Sequence, residues 1–280
     1  MHETTLVLIS YKSENKIYEL IKRAPKDIKI IIIENSNNKE FKKDIENKYK
    51  NIAVYIKNNE GVSSSLNFAV KYIETKYFLQ ISPDIDFNFD DLKLFLNLAK
   101  NLHDKFAAIG PRFEDVKEKS HKQINKDLRY GHIKSIHGSC MFINKKNFID
   151  IGGFDENFFL YFEETEFCYR AKKKGYLSYQ LNKSKVSADG RSIEINNMEE
   201  KNRISNILIW HFIWSKFYFS KKKYGKFFSI ILFIPIIIRI IFKIFIYRIL
   251  KNQIYKEKYM IRLNGLMASF KGKKSSLRPY

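Results

Sequence analysis

Short runs of apolar and β-branched residues alternate with helix-like stretches through the first half of this chain. Six runs are predicted to be strands, at residues 5–10, 28–34, 52–56, 77–81, 107–110 and 135–143. The clearest helix candidate between them follows Gly61, where Ser63 or Ser64 can cap a helix with an apolar stripe of Leu66, Ala69, Val70 and Ile73. This alternation predicts an α/β domain built on a mostly parallel sheet flanked by helices.

Length and cysteine content limit the class of protein. A chain of 280 residues that is 45% hydrophobic can bury a sizeable core. It opens MHETTLVL, without a basic segment before the apolar run, which predicts the start of a domain rather than a secretory signal. The two cysteines, Cys140 and Cys168, are too few for a disulfide framework. We therefore expect reduced thiols and a cytoplasmic location.

Polar and acidic residues follow the carboxyl ends of the predicted strands, where open α/β sheets bind their ligands. There is no GxGxxG after the first strand and no GxxxxGK[ST], so a dinucleotide site and a P-loop both lose support. Each group alone has an ordinary alternative, since Asn-Glu-Gly is a common turn and Glu34 could belong to a helix cap. The strand-end residues are Ser10, Glu34, Asn59, Gly61, Asp84, Asp86, Gly138 and Ser139.

The stretch ISPDIDF ends a buried-looking strand with two carboxylates, Asp84 and Asp86. A carboxylate at the mouth of a sheet is well placed to hold a hard divalent cation that bridges a diphosphate. The alternative is that these two acids cap a helix starting near Phe89. We expect Mg²⁺ or Mn²⁺ at Asp84, with Asp86 capping or supporting.

The stretch GGFDENFFLYFEETEFCYRAKKKGY, residues 152–176, predicts a tight turn, an aromatic segment and a helix that opens with acids. Acids in a first helical turn are commonplace, because they favour the positive end of the helix. Aromatic surroundings remove solvent from a carboxylate and raise its affinity for a proton, which suits Glu163 or Glu164 to act as a general base.

Five motifs in order resemble the family 2 glycosyltransferases, and within them the rhamnosyltransferase-like branch. They are LVLISYKS, IIIIENSNN, NNEGVSSSLN, QISPD and the stretch from HGSCMF to KKKGY. The resemblance extends over residues 5–192, about two thirds of the chain. The resemblance implies a GT-A fold, a nucleotide-diphospho-sugar donor, a divalent cation and an inverting hexosyl transfer.

Site roles follow from this resemblance position by position. Glu34 stands where the family usually has an Asp at the base or ribose. Asp84 matches the last Asp of the DXD metal motif, and Glu164, the second residue of a Glu-Asp-like pair with Glu163, matches the base. The remaining donor-site matches are Ser10, Asn59, Gly61, Asn67, Gly138 and Ser139; Arg170 and Tyr176 match two further positions of the pattern.

One departure concerns a second metal ligand. SADGRS, residues 187–192, stands where the family often reads H-x-x-G-x-S, so Ser187 replaces a His that can reach the metal or diphosphate. Asp189 could compensate at the metal and Arg191 at the phosphates. With Glu34 and Glu164 also substituted, a catalytically degenerate member is the alternative.

The basic charge of the chain is concentrated in its last quarter. Residues 215–280 hold 16 Lys/Arg and the single acid Glu257, so they carry +15 of the total +21. Residues 227–250 are strongly apolar, but Pro235 interrupts them and Arg239, Lys243 and Arg248 follow. The uncharged part is shorter than a spanning helix requires. We expect, in descending order of preference, an amphipathic helix on an anionic membrane surface, a buried helical subdomain and a true span. On the membrane surface, the salt-resistant part of the contact would come from Ile231, Phe233, Ile237 and Phe242.

These features predict two domains, a GT-A transferase domain at 1–205 and a basic, apolar, helical membrane-associating extension at 206–280. The function expected is transfer of a sugar to a lipid-linked saccharide at the inner face of the cell membrane. The resemblance to rhamnosyltransferases implies L-rhamnose from dTDP-rhamnose as the donor sugar, and another dTDP- or UDP-sugar is the second choice. The alternative is a non-enzymatic basic protein that binds membrane or nucleic acid through its tail. A long Ile/Phe run argues against nucleic acid, which is bound by cations and aromatics on a solvated face.

Overall fold

The computed structural model of the chain describes residues 2–114, 123–188, 193, 195 and 197–279. It forms two compact units. The sheet unit comprises Met1–Asp155 and Glu163–Glu194, and the helical unit comprises Glu156–Phe162 and Ile195–Tyr280. The segment 156–162, which immediately precedes Glu163 in the chain, thus belongs to the helical unit. The predicted division at residue 205 falls inside a helix of the helical unit and, as a division of function, stays a prediction.

Within its described residues, the sheet unit is built on nine strands in the order β3-β2-β1-β4-β8-β6-β9-β5, with β7 paired to β9. The pairs β1–β2, β2–β3, β1–β4 and β6–β9 are parallel, whereas β8 is antiparallel to both its neighbours. The strands are β1 Thr4–Ser10, β2 Lys29–Glu34, β3 Ile52–Ile56, β4 Tyr77–Ile81, β5 Ile85–Asp86, β6 Phe106–Phe113, β7 Tyr130–Ile133, β8 Cys140–Asn144 and β9 Leu177–Ala188.

Six helices of the sheet unit are α1 Glu14–Arg23, α2 Lys39–Lys48, α3 Val62–Val70, α4 Leu92–Asn101, α5 Lys145–Ile151 and α6 Glu163–Lys173. Strand side chains alternate between the two faces of the sheet. Leu6 and Leu8 pack with α1, α2 and α4, and Val7 packs on the opposite face with α3, α5 and α6. Both cysteines are buried, and neither forms a disulfide bond. The α/β prediction is therefore confirmed, with helices on both faces of the sheet.

Two local expectations differ from the structure. The predicted strand at 135–143 begins only at Cys140, because residues 134–139 form a loop. Helix α3 does not begin at a serine cap, since Gly61 occupies the N-cap position with φ +101°, and Ser63 and Ser64 lie inside the helix. The expected stripe of Leu66, Ala69, Val70 and Ile73 is buried as predicted.

The helical unit contains α7 Met198–Tyr224, α8 Lys226–Ile249 and α9 Gln253–Phe270. Its core is formed by Ile213, Phe217, Phe233, Ile240 and Leu266. Helices α7 and α9 approach closely at Gly265, where a Cβ atom would lie 2.7 Å from the carbonyl oxygen of Trp210. Among the described residues, α8 is the one helix long and apolar enough to cross a membrane by length and composition.

Candidate active site

The ends of β1 and β2 form the floor of the candidate site. Ser10 and Glu34 are paired in register, and both are fully buried. Oε1 of Glu34 accepts hydrogen bonds from the backbone N–H of Ser36, at 2.9 Å, and from its hydroxyl. Oε2 accepts the N–H of Asn38 at 2.7 Å. The carboxylate therefore holds its own loop, and its predicted contact with a base or ribose stays a prediction.

The loop before α3 brings Asn59 and Gly61 to the same strand-end region. The side-chain oxygen of Asn59 accepts the N–H of Gly61 at 3.3 Å, and both residues are buried. Asn67 lies in α3, six residues after Gly61, and its amide is bonded to the backbone of Phe154. It donates to the carbonyl and accepts from the N–H, both at 2.9 Å. Asn67 thus holds the turn that precedes α6. Its predicted contact with the donor stays a prediction.

Asp84 and Asp86 differ in exposure. Asp86 is exposed and forms an ion pair with Arg23 at the end of α1, and these two residues line a surface pocket with Asp90 and Lys185. The half-buried Asp84 follows Ser82, whose N–H donates to the carbonyl of Ser139 at 2.8 Å. Neither acid caps the short helical turn at Phe89–Asp91, because Asn88 accepts the N–H of Asp90 there. The capping alternative is therefore wrong, and Asp84 is the stronger cation candidate.

The Ser82–Ser139 bond places the loop containing Gly138 beside the loop containing Asp84. A Cβ atom on Gly138 would lie 3.5 Å from Cγ of Glu164 and 3.7 Å from Oε1 of Glu163. Any larger side chain at this position would extend toward the two carboxylates. The structure therefore brings together the loop of Asp84, the loop of Gly138 and the start of α6.

The three acids of the first turn of α6 have different environments, and all three are buried. Glu166 is bound by Arg170, whose Nε donates to both carboxylate oxygens at 2.8 and 2.9 Å. Glu164 accepts a hydrogen bond from the hydroxyl of Thr165 at 2.9 Å, and that hydroxyl lies 3.0 Å from the hydroxyl of Ser135. Surface acids at a helix start would be solvated, so a purely helix-capping role does not explain this burial.

Arg170 has a structural role in the turn that precedes α6. Its guanidinium donates to the carbonyl of Ile151 at 2.7 Å and to that of Gly153. Tyr176, after the end of α6, packs against the core on the side of the sheet that carries α3, α5 and α6. Partial burial raises the pKa of its hydroxyl, and the nearby Asp150 carboxylate raises it further. Both residues are placed to hold the fold around the acid pair.

The remaining predicted positions come at or just after the end of β9 in the sequence. Ser187, which replaces the family's usual His, is paired in register with Asp86. Asp189 and Arg191 lie outside the described residues. No cluster of three or more His, Cys, Asp or Glu side chains that could hold a metal occurs within the described parts of the chain. Mg²⁺ is commonly bound by one or two carboxylates together with substrate phosphates, a mode that Asp84 could serve.

Sequence reasoning did not find Ser135 and Thr165 as supports of the acid pair. Thr165 directly follows Glu164, but Ser135 is 30 residues away and belongs to a loop without a recognisable motif. Asn35, whose amide donates to the hydroxyl of Ser65 at 2.9 Å, likewise ties the end of β2 to α3. The only sequence signal for these residues is their polar character beside a strand end or an acid pair.

Solved structures with similar folds are glycosyltransferases. The crystal structure of GalNAc-T7 with UDP, GalNAc and Mn²⁺ superposes with a TM-score of 0.55 at 14% identity, covering 80% of this chain and 50% of that one. S. aureus TarS residues 1–349 with UDP-GlcNAc gives 0.56 at 17% identity, covering 74% and 65%. At these identities the likeness shows the fold, which is GT-A.

The sequence profile described as Glycosyl transferase family 2 matches residues 5–154, more than half of the chain. The chain belongs to this family. Among curated relatives, the low-salt glycan biosynthesis hexosyltransferase Agl10 of Haloferax volcanii is 25% identical over 62% of this chain and 63% of its own length. Rhamnosyltransferase WbbL of Escherichia coli K12 is 25% identical over 61% and 77%. The match thus spans less than two thirds of the Haloferax relative, and the expected resemblance to rhamnosyltransferase-like members is confirmed.

Proposed function

We propose that this protein is an inverting hexosyltransferase that uses a nucleotide-diphospho-sugar donor and a divalent cation. The observation that carries the proposal is the arrangement of three segments of the sheet unit. The loop of Asp84 is bonded to the loop of Gly138 through Ser82 and Ser139, and Gly138 lies against Glu163 and Glu164. A candidate cation ligand and a buried acid pair therefore adjoin the strand ends that carry Ser10, Glu34 and Asn59.

The donor side needs charge neutralisation of a diphosphate. Asp84 would hold Mg²⁺ or Mn²⁺ together with phosphate oxygens, and the bound cation would stabilise the charge of the departing nucleoside diphosphate. One protein carboxylate suits such a substrate-bridged cation, since Mg²⁺ is commonly bound by one or two carboxylates plus phosphates. The presence of UDP and Mn²⁺ together in the GalNAc-T7 crystal structure supports this requirement.

The acceptor side needs a base. Glu164 would take the proton of the acceptor hydroxyl. The oxygen of that hydroxyl attacks the anomeric carbon of the donor sugar from the face opposite the diphosphate. The C–O bond to the donor phosphate breaks as the new glycosidic bond forms, and this single displacement inverts the anomeric configuration. The hydrogen bond from Thr165 holds the Glu164 carboxylate in place.

For the substrates we propose L-rhamnose from dTDP-rhamnose, delivered to a lipid-linked saccharide in cell-surface glycan synthesis, at the inner face of the membrane. The rhamnosyltransferase named among the relatives supports the sugar, and the named glycan biosynthesis hexosyltransferase supports the pathway class. The apolar helix α8 supports a membrane location. A UDP-sugar is the second donor choice, supported by the UDP-GlcNAc of the TarS structure.

Calorimetric titration of the full chain with dTDP and UDP, each with Mg²⁺, with Mn²⁺ and with chelator, tests the proposal. We expect one nucleotide to bind in the presence of a cation and binding to be lost with chelator. Binding of neither nucleotide under any condition would contradict the donor assignment and favour a degenerate or non-enzymatic protein. Tight nucleotide binding that is unchanged by chelator would contradict the proposed requirement for a divalent cation.

A further inference from the structure

Helix α8 has a continuous apolar face in solvent. The outer face, defined by Phe227, Ile231, Ile238, Phe242, Phe245 and Ile249, has side chains that are 47% to 70% exposed. These residues recur at intervals of three, four or seven, so they share one side along the whole helix. Isolated exposed apolar residues are ordinary, but a stripe running the length of a 24-residue helix indicates an interaction surface.

The opposite side of α8 packs against the other helices of the helical unit. Ser229, Phe233 and Ile240 are buried, and the ring of Phe233 contacts that of Phe217 in α7 with centroids 5.0 Å apart. Near the other end, Tyr247 stacks on Tyr255 in α9 with centroids 5.1 Å apart. Helix α8 is therefore attached to α7 and α9 from end to end, and its outer face is what these contacts leave uncovered.

Cations border the outer face on both sides. At 100° per residue, the arc between Arg248 and Arg239 is roughly 180° wide and holds only apolar residues and Pro235. Lys243 lies just beyond Arg239 on the same border. Long basic side chains at such borders can reach lipid phosphates while the apolar arc enters the acyl boundary. Glu257 is the single acid among residues 215–280, so little opposes an anionic surface.

Two other occupants of this face fit the observations less well. A crossing α8 would place Arg239 and Lys243 well inside the helix and in the hydrocarbon, at a large cost. Helices α7 and α9, which are packed against α8, would then also have to enter the bilayer. Among the described residues, neither of them is long and apolar enough to cross a membrane by length and composition. A second copy paired face to face by a two-fold axis would bring cationic borders together, which is repulsive.

We propose that α8 lies parallel to the plane of an anionic bilayer, with its outer face at the boundary of headgroups and acyl chains and with Phe233 and Ile240 facing the protein core. The inference deepens the membrane location of the proposed function, but it does not depend on sugar transfer. Its distinctive consequence is that residues two and four turns apart on the outer face have the same depth.

The test measures depth at three positions in the full-length protein. Ile231→Cys, Ile238→Cys and Phe245→Cys are each labelled with an environment-sensitive fluorophore, which is selective because Cys140 and Cys168 are buried. Each is mixed with vesicles of phosphatidylcholine containing anionic phosphatidylglycerol and with lipids quenched at known depths. We expect all three labels to shift to the blue and to be quenched equally at a shallow depth. A label at Ile149→Cys, exposed on α5, is the control and should not shift.

A profile with Ile238→Cys deep and the other two shallow would overturn the proposal in favour of a span. No lipid-dependent shift, together with concentration-dependent dimerisation, would overturn it in favour of a second copy. A label-free measurement covers the case in which labelling disturbs the protein. Ile238→Ser, Phe242→Ser and Phe245→Ser together should lower the vesicle partition coefficient about 10-fold or more, whereas Ile149→Ser with Met198→Ser should not. Nucleotide titration of the same variants reports separately on the proposed function.

Discussion

Glu163 and Glu164 are neighbours in sequence but differ in what surrounds their carboxylates. Glu164 is the one held by the Thr165 hydroxyl, which in turn lies beside Ser135. Both carboxylates lie against Gly138, so the absence of a side chain there leaves room next to them. At the scale of single residues, the proposal of Glu164 as the base rests on its match to the family pattern and on its buried position beside Gly138.

Glu164→Gln is expected to keep donor affinity and to lose about 10²- to 10⁴-fold in kcat, because the amide cannot accept the acceptor's proton. Glu163→Gln is the matched control and should lose much less. Steady-state kinetics with calorimetry of nucleotide binding measure both effects. If Glu163→Gln proves the inactive variant, the base is one residue earlier; if both stay active, the acids only stabilise the start of α6.

Asp84→Asn is expected to abolish the cation-dependent part of nucleotide affinity, since the neutral amide is a poor ligand for a hard cation. Asp86→Asn removes a carboxylate two residues away whose partner is the exposed Arg23, and an exposed ion pair contributes little to stability. We therefore expect Asp86→Asn to bind nucleotide as the unaltered protein does. Calorimetry with and without Mn²⁺ distinguishes them. Equal losses would mean that both acids serve the cation.

The turn that follows α5, at Gly152 and Gly153, is held by residues of α3 and α6. Gly152 and Gly153 have φ of +94° and +63°, which favour glycine. Asn67 of α3 is bonded to the next residue, Phe154, and Arg170 of α6 is bonded to the carbonyl of Gly153. The turn is thereby bonded both to α3 and to α6, the helix that carries the acid pair.

Gly153→Ala should destabilise the sheet unit more than Gly175→Ala does. Both positions have positive φ, which costs an alanine about 1–2 kcal/mol. At Gly153 the new Cβ would also lie 2.7 Å from Oδ1 of Asn67, whereas nothing lies within 4 Å at Gly175. Breaking the Asn67 pair should add about 2 kcal/mol. Denaturant unfolding followed by circular dichroism measures the difference in the free energy of unfolding. Equal losses of stability would show that the Asn67 side chain moves away from the new Cβ atom at little cost.

The helical unit has its own fixed point at His211 of α7. Its ring nitrogens lie 2.7 Å from the carbonyl oxygen of Leu277 and 2.9 Å from the hydroxyl of Ser275, and the ring stacks on Phe159. Burial lowers the pKa of His211 to about 4; the bond to Leu277 opposes this shift and the charge of Arg278 adds to it. The neutral imidazole therefore links α7 to the C-terminal tail and to the segment before α6.

Acid should weaken the helical unit through His211. The unfolded chain binds a proton below pH 6.5 and the folded chain only below about 4, so stability is complete above pH 6.5 and falls between these values. Between pH 6.5 and 5 the loss should be about 2 kcal/mol. The only tryptophans, Trp210 and Trp214, flank this residue, so their fluorescence reports unfolding of this unit. His211→Gln should lack this component; an unchanged pH profile would contradict it.

At the scale of the whole molecule, charge is segregated along the chain, with +15 of the net +21 in residues 215–280. The sequence predicted that Ile231, Phe233, Ile237 and Phe242 would form a salt-resistant membrane contact. Ile231 and Phe242 are exposed, but Phe233 is buried in the core of the helical unit and Ile237 packs against that core. The proposed membrane contact therefore excludes these two residues.

Membrane affinity should separate into a charge-dependent and an apolar part. Replacing Lys221, Lys222, Lys223 and Lys226 by Gln should reduce flotation on anionic vesicles at low salt and leave the salt-resistant binding. Each cation near an anionic leaflet contributes about 1 kcal/mol, which salt screens. Flotation at low and high salt measures both parts. Equal flotation of the unaltered protein on neutral and anionic vesicles would contradict the charge-dependent part.

The sequence by itself determined the α/β class, because strands with near-continuous apolar runs and a helix with an apolar stripe are local patterns. Four of the six predicted strands lie within one residue of the observed boundaries. It also determined the order of the motifs and the concentration of positive charge near the C-terminus. It did not predict β5, β7 or β9, whose mixed sequences lack a clear alternation, nor that β8 runs antiparallel to its neighbours.

Only the tertiary structure decided which polar residues meet. Gly138 lies against Glu164, Asp86 pairs with Arg23 and Ser135 lies beside Thr165, although none of these pairs is close in sequence. It also decided that residues 156–162 pack with α7 and that one side of α8 is core while the other is solvent. The physical reason is that periodicity specifies which residues share a face of a strand or helix. The partner of that face depends on how distant segments pack.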